Sequence, residues 1–387
     1  MAGRVVLFGA TGYTGRLAAE AMVERGMKPL LAARGREQLE RMAGELGGLE
    51  TAVADVSDPG SVADLVGRGD VLLTTVGPFV KFGAAAAAAA STHGAHYIDS
   101  TGEAPFIRDV FQRYDTPARK SGSGMVTAFG YDYVPGNLAG ALALERAGER
   151  AVRVDVGYFA TGATSPAALS GGTRASLVAS ITEPSFGFRD GRVQNERSAA
   201  RQRSFDLHGK GRGAVAIGGS EHFALPRLAP QLVEVNAYLG WFGPASRVLP
   251  AVSLASSLAM KLPGANRAWQ FAGSKLAKGS TGGPGPEDRA KVGSHVVGIA
   301  YDSAGEALAE VHLTGPDPYG FTGKMLAWGA ERAADGGLRG SGALGPVDGF
   351  GLRELEAGCA EAGLTAEAGA DASNGAGSRA GASARIA

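Results

Sequence analysis

Three glycines at a fixed spacing carry the most definite chemistry in this chain. Gly9-Ala10-Thr11-Gly12-Tyr13-Thr14-Gly15 follows the short apolar run Val5–Phe8 and opens a segment of helical spacing, Leu17–Glu24. In such a strand–turn–helix one glycine makes the tight turn and another lets backbone approach a pyrophosphate. A third lets the helix pack on the strand. The helix N-terminus then turns unpaired N–H groups and a positive dipole end toward phosphates. Gly9, Thr11, Gly12, Tyr13, Thr14 and Gly15 are therefore assigned to a dinucleotide. The G-x-x-G-x-x-G spacing is a variant common with NADP(H).

Which dinucleotide is decided at the end of the next apolar run, Leu30–Ala33. It ends in Arg34-Gly35-Arg36, with no acid to hold a ribose 2′-hydroxyl. Arg34 can stack on adenine and pair with a 2′-phosphate through its planar fork, where a carboxylate would repel. NADPH is expected rather than NADH. Asp55 and Val56, after the third run, are placed to contact the adenine. Gly77 and Pro78, after the fourth, should border the nicotinamide, since ligands sit beyond the carboxyl ends of parallel strands.

The elements that position these residues alternate. Apolar runs at Val5–Phe8, Leu30–Ala33, Thr51–Val56, Asp70–Val76, His96–Asp99 and Met125–Phe129 are separated by helical segments. Ser57-Asp58-Pro59 is a helix start, and the alanine run Ala84–Ala90 strongly favours helix. This predicts a Rossmann domain, a doubly wound parallel sheet, over 1–133. Beyond Tyr131 the pattern changes to longer, partly alternating strands at Val152–Phe159, Gly213–Ile217, Val233–Gly240, Val296–Tyr301 and Leu308–Thr314. A second α+β domain on a mostly antiparallel sheet is expected over 134–340, with substrate-binding or dimerisation roles. Helices are expected at Arg174–Ile181, Tyr319–Ala334 and Leu352–Ala362, the last packing back on the first domain within 341–365. Residues 366–387, mostly Ala, Gly and Ser, read as a disordered tail.

The chain has 387 residues, 44% of them hydrophobic and 20% charged, enough apolar material for globular domains. Lys+Arg 38 balances Asp+Glu 38, so there is no basic surplus for nucleic acid. Cys359 is the single cysteine, which excludes an internal disulfide framework and a cysteine-cluster metal site. The six histidines lack ligand spacing, and no metal is expected. No targeting segment or membrane span is read, so a cytoplasmic protein is expected. Val248–Lys278 is apolar with spaced basic residues; it suits a packed or dimer-interface helix, or a lid or peripheral lipid contact over an acyl chain.

Several blocks carry a family resemblance. Gly9–Gly15, Thr75-Val76-Gly77-Pro78-Phe79 with Gly83, and Gly94-Ala95-His96-Tyr97-Ile98-Asp99-Ser100-Thr101-Gly102-Glu103 resemble the saccharopine dehydrogenase-like oxidoreductases. The nearest group is the bacterial trans-acting enoyl reductases. Softer matches are Gly130-Tyr131-Asp132-Tyr133-Val134-Pro135, Ser170-Gly171-Gly172-Thr173, Gly285-Pro286-Glu287-Asp288-Arg289 and Asp317-Pro318-Tyr319 with Thr322. Where many members carry a cysteine, this chain has an alanine near Ala90.

The resemblance implies hydride transfer from a nicotinamide cofactor and leaves the acceptor open. It also implies that Asp132 lies near the substrate. Tyr97, ending a strand, is a candidate proton donor or carbonyl polariser, and Tyr131 stands beside Asp132. Asp99 and Glu103 suit loop anchoring as well as chemistry. Phe79 and Arg174 are assigned to substrate, Arg174 to a carboxylate or phosphate. The reading is an NADPH-dependent reductase of an activated C=C bond in a polyketide, lipid or secondary-metabolite intermediate, presented as a small molecule or carrier-bound acyl group. A C–N reductase, which would make Arg174 and Lys81 indispensable, and a non-catalytic dinucleotide-binding protein docking on lipid or a partner are the alternatives.

Overall fold

The computed structural model describes residues 3–162, 184–243, 246, 248–259 and 282–367. The glycine motif sits where β1 (Val5–Phe8) gives way to α1 (Tyr13–Glu24). The chain then alternates through β2 (Leu30–Ala33), α2 (Arg36–Glu45), β3 (Thr51–Val53), α3 (Pro59–Ala63), β4 (Val71–Thr74) and α4 (Phe79–His93). Next come β5 (His96–Asp99), α5 (Ala104–Asp109), a π-helical turn, α6 (Asp115–Ser121) and β6 (Gly124–Val126). β1, β2 and β4 are buried throughout, which explains their unbroken apolar sequences. α3 starts as the sequence predicts, with the Asp58 carboxylate accepting the Gly60 N–H at 3.1 Å.

These strands pair in parallel in the order β3-β2-β1-β4-β5-β6. The winding reverses between β1 and β4, so a crevice opens beyond their carboxyl ends, where such sheets bind ligands. The loops after β1 and β4 flank it. This is the expected Rossmann arrangement.

α7 (Val134–Ala147) leads to a second sheet. Its strands are β7 (Arg153–Gly162), β8 (Pro184–Arg189), β9 (Arg192–Arg197), β10 (Gln202–Leu207) and β11 (Lys210–Ile217). After α8 (Glu221–Leu228) come β12 (Glu234–Leu239), α9 (Leu249–Ala259), α10 (Pro286–Arg289), β13 (Val292–Tyr301) and β14 (Ala307–Gly315). The order is β10-β11-β12-β7-β13-β14, with the β8–β9 hairpin branching from β12. β12 and β7 run parallel and the other pairs antiparallel, matching the expected mostly antiparallel sheet. α11 (Pro318–Ala334) then returns to pack on α1. β15 (Gly342–Leu344) adds a seventh parallel strand beside β6. After α12 (Pro346–Phe350) and α13 (Leu352–Glu361), β16 (Thr365–Ala366) extends the second sheet beside β14.

Alternation along β13 builds two cores. Val296 and Ala300 join α7, α11, α1 and the inner face of the first sheet in one continuous apolar cluster. Val297, Ile299 and Tyr301 face the other way, covered by Phe205 and Leu207 of the β10–β11 hairpin with Phe159 and Tyr238.

The structure departs from the sequence reading in three places. Residues 184–207, where no strand is expected, hold β8, β9 and β10. Their hairpins turn at Asp190-Gly191 and His208-Gly209, all four with positive φ, as a two-residue type I′ turn requires. At the C-terminus, strand pairing continues to Ala366, one residue into the expected tail, whose remainder from 368 lies outside the described residues. Finally, His208, His295 and His312, scattered in the sequence, come together on the second sheet, because strand register rather than local sequence assembles them. Arg174, the helix expected around it, and 260–278 of the apolar segment also lie outside the described residues.

Candidate active site

The glycine loop is shaped for close backbone approach. Gly9 has φ 91°, a conformation that favours glycine. A Cβ on Gly15 would lie 2.2 Å from the Gly9 carbonyl oxygen, so α1 meets the loop only because Gly15 lacks a side chain. Thr75 Oγ1 donates to the same carbonyl at 3.1 Å, tying the end of β4 to the loop. α1 begins after Gly12 with no side-chain cap and no acid in its first turn, leaving N–H groups and dipole available to an anion. Gly15→Ala should therefore weaken dinucleotide binding by about tenfold or more, the size of an overpacking cost. Titration followed by nicotinamide fluorescence checks this, and wild-type affinity in the variant would remove the loop from the site.

At one end of the crevice, Arg34 is exposed. Among the described residues it makes no ion pair, and its field adds to the Ser57 N–H and hydroxyl, at 2.8 and 2.7 Å, in holding the Asp55 carboxyl below its usual range. At the other end, Gly77 and Pro78 are exposed and joined by a cis peptide bond. The next two N–H groups, of Phe79 and Val80, donate to the Glu103 carboxylate at 2.8 and 2.9 Å. Glu103 thus closes the N-terminus of α4 from a distance. Asp99, fully buried, accepts from the N–H groups of Thr101 and Ala128 and from Thr127 Oγ1, at 2.9, 2.8 and 2.8 Å. It fastens the loops after β5 and β6 together.

The far wall follows β6. Asp132 is exposed, and desolvation by the surrounding protein pushes its carboxyl from 3.8 up to about 6. The helix cap that could have engaged it is absent: α7 begins after Tyr133 with no side-chain cap. Among the described residues no hydrogen bond or ion pair holds the Asp132 carboxylate. Tyr131 is buried beside it, its N–H donating to Thr322 Oγ1 at 3.0 Å and its hydroxyl to the Phe159 carbonyl at 3.3 Å. Its ring meets those of Tyr158, Trp241 and Phe321 with centroids 6.1–6.2 Å away. Tyr133, also buried, donates to the Gly218 carbonyl at 2.9 Å.

Behind this wall lies Glu221, fully buried, with the Tyr158 hydroxyl donating to its Oε1. Burial pushes its carboxyl from 4.5 to about 8. The folded protein keeps a proton there that the unfolded chain has released, so this group's contribution to stability declines as pH rises from about 4.5 to about 8. Glu221→Gln keeps an acceptor for Tyr158 and should flatten that decline. Urea midpoints at pH values near the two ends check it, and the same drop in wild type and variant would reject a protonated Glu221.

Residues 5–126 match the saccharopine dehydrogenase NADP-binding domain family. The N-terminal unit is thus similar to a saccharopine dehydrogenase NADP-binding domain. The trans-acting enoyl reductase of Mycobacterium ulcerans is 35% identical over 140 residues, and that of Mycobacterium leprae 37% identical over 140. Each match covers 35% of this chain and 34% of the relative, so the similarity spans about a third of either protein. Over nearly its full length the chain shares the fold of saccharopine dehydrogenase (L-Glu forming) from Saccharomyces cerevisiae. The TM-score is 0.59 at 12% identity, covering 94% of this chain and 99% of that one.

The first sheet brings Gly9, Thr11, Gly12, Thr14, Gly15, Gly77 and Pro78 to the crevice beyond β1 and β4, with Arg34, Asp55 and Val56 beyond the carboxyl ends of β2 and β3. Its other nominated residues are placed differently. The Tyr13 ring stacks edge-on against Tyr319 at 5.3 Å, and its hydroxyl donates to the Pro284 carbonyl at 2.6 Å, so its side chain joins the loop to the second half of the chain. Tyr97 is fully buried with its hydroxyl beside Asp99, well above its normal pKa range. The Phe79 ring is buried against Phe106, centroids 5.5 Å apart. Glu221 and Trp241 went unnoticed in the sequence, which offers no local motif around either.

Proposed function

We propose that this protein is an NADPH-dependent reductase of an activated C=C bond in an enoyl thioester of polyketide, lipid or secondary-metabolite type, with Asp132 as the proton donor. The observation that carries this is the Asp132 carboxyl: exposed beyond the carboxyl edge of the first sheet, with no hydrogen bond or ion pair among the described residues, and pushed by desolvation up to about 6. A group near that value can hold a proton and release it close to neutral pH. The names of the similar mycobacterial enzymes support an enoyl acceptor, and "trans-acting" suits an acyl group brought by a separate carrier.

Bound NADPH would supply the hydride. The first turn of α1 and the glycine loop would hold the pyrophosphate, Arg34 the 2′-phosphate, Asp55 and Val56 the adenosine, and Gly77 and Pro78 would border the nicotinamide. Asp132 in its acid form gives its proton to the acceptor's α-carbon as the β-carbon gains hydride, and is reprotonated from water. One hydride and one proton thus add across the double bond. Among the described residues no helix is long and apolar enough to cross a membrane.

The test is loss of reduced-nicotinamide absorbance with purified protein, NADPH and a panel of enoyl thioesters and cyclic imines. Turnover of enoyl thioesters supports the reading. Turnover confined to imines would replace it with C–N chemistry, and tight NADPH binding without any turnover would favour a binding protein.

A further inference from the structure

On the outer face of the second sheet, away from the crevice, the chain gathers three histidines and two glutamates. We propose that His208, His295 and Glu367 form a site for a divalent transition metal of the zinc class, with His312 and Glu310 as positioning residues.

The register of the sheet brings them together. His295 lies opposite Thr314 and Val297 opposite His312, so the two histidines are diagonal neighbours on one face, with ring centroids 5.1 Å apart. His208 comes from the tip of the β10–β11 hairpin, which folds over this face and sets its ring 5.3 Å from that of His295. Its φ of 55° is one that His tolerates better than most residues. Glu367 follows β16, and its N–H donates to the His312 carbonyl at 2.9 Å.

The donor geometry suits a metal. One ligand atom each from His208, His295 and Glu367 lies within 4.8 Å of the others. His208 Nε2 and Glu367 Oε1 are 3.3 Å apart. Two donors on a tetrahedral zinc with bonds of about 2.0–2.1 Å are about 3.3–3.4 Å apart, so this pair already has the spacing of shared ligands. Two histidines and a glutamate are an established zinc set, and the exposed His208 leaves a fourth position for water.

The hydrogen-bond chain behind His295 assigns its free nitrogen. His312 Nε2 lies 2.8 Å from Glu310 Oε1, and an ionised carboxylate only accepts, so His312 donates from Nε2. His312 Nδ1 is then an acceptor, and His295 Nε2, 2.8 Å away, donates to it. That leaves the His295 Nδ1 lone pair for a ligand. A metal-bound histidine whose other N–H is held by a relay ending in a carboxylate is the usual outer-shell arrangement. A bound ion would join the hairpin tip, a central strand and the C-terminal strand.

Calorimetric titration of the full chain, carrying no affinity tag, with zinc ion tests this, together with the visible absorption of the cobalt-substituted protein. The expected result is one ion per chain, tetrahedral cobalt bands, and affinity lowered tenfold or more in both His208→Ala and Glu367→Gln. Both changes fall outside the apolar core, so folding should survive, and circular dichroism confirms it. His312→Gln should weaken binding by about 10–100-fold, as outer-shell losses do. No saturable binding, or equal affinity in wild type and both ligand variants, would overturn the site and leave His208 and Glu367 as a surface ion pair.

Discussion

Asp132→Asn should lower enoyl reduction by about 10²–10⁴-fold, the span associated with losing a positioned acid, while leaving NADPH binding nearly unchanged. Asparagine matches aspartic acid in shape and lacks the transferable proton. Because no hydrogen bond or ion pair among the described residues engages the carboxylate, the change should cost the fold little. The pH profile separates a proton donor from a residue that merely shapes the cleft. Activity that needs the acid form is highest below the carboxyl's pKa and declines as pH rises through about 6. The variant should lose that limb and keep a low, flat rate. Stopped-flow measurement of nicotinamide oxidation at saturating cofactor reads the chemical step directly. A variant with wild-type turnover, or the same pH limb in both proteins, would move the proton donor elsewhere.

The first half of the fold was legible because its strands, apart from the edge strand β3, are buried on both faces. Such strands must be continuously apolar, and the helices between them carry end signals as local as Asp58-Pro59. The second sheet was harder. Arg192–Arg197 is polar on both faces, so it shows no alternation, and its hairpin is announced only by Asp190-Gly191. That dipeptide was a readable signal. Tyr97 and Phe79 illustrate another limit. Their residue types suggest chemistry, but side chains stand perpendicular to a sheet rather than along its edge. Tyr97, two residues before the end of β5, therefore points into the helix layer, and Phe79 turns inward from the first residue of α4.

Asp132 shows what sequence reasoning reaches and what it misses. Its place at a strand end before a proline-containing helix start was readable. Whether its carboxylate would be consumed as the cap of α7 depended on where the helix begins, which Tyr133 decides. Glu221 and Tyr158 pair across the second half of the chain, and only the fold of α8 under β7 joins them. The histidine cluster follows the same logic: His295 and His312 are neighbours by strand register, and His208 by the curl of a hairpin.

Arg34→Glu should reverse the cofactor preference. A 2′-phosphate carries a charge of about −1.5 to −2, so replacing a cation beside it with an anion exchanges attraction for repulsion. Even with water screening the pair at about 4 Å, the change amounts to roughly two to three orders of magnitude in NADPH affinity. NADH carries a hydroxyl at that position, which a glutamate can accept from, so its binding should hold or improve. The exposed setting of Arg34 makes the effect dependent on ionic strength, largest in dilute buffer and smaller as salt rises. Asp55 reports the same change from within the protein. Part of what holds its carboxyl low is the Arg34 field, so Arg34→Glu should raise the Asp55 pKa, which NMR titration of the carboxyl can follow. The backbone and hydroxyl contacts from Ser57, the larger contribution, would remain. Paired titrations of NADPH and NADH by nicotinamide fluorescence at two salt concentrations decide the matter. Equal weakening of both cofactors would place the 2′-phosphate away from Arg34 and give that arginine only a solvating role beside Asp55.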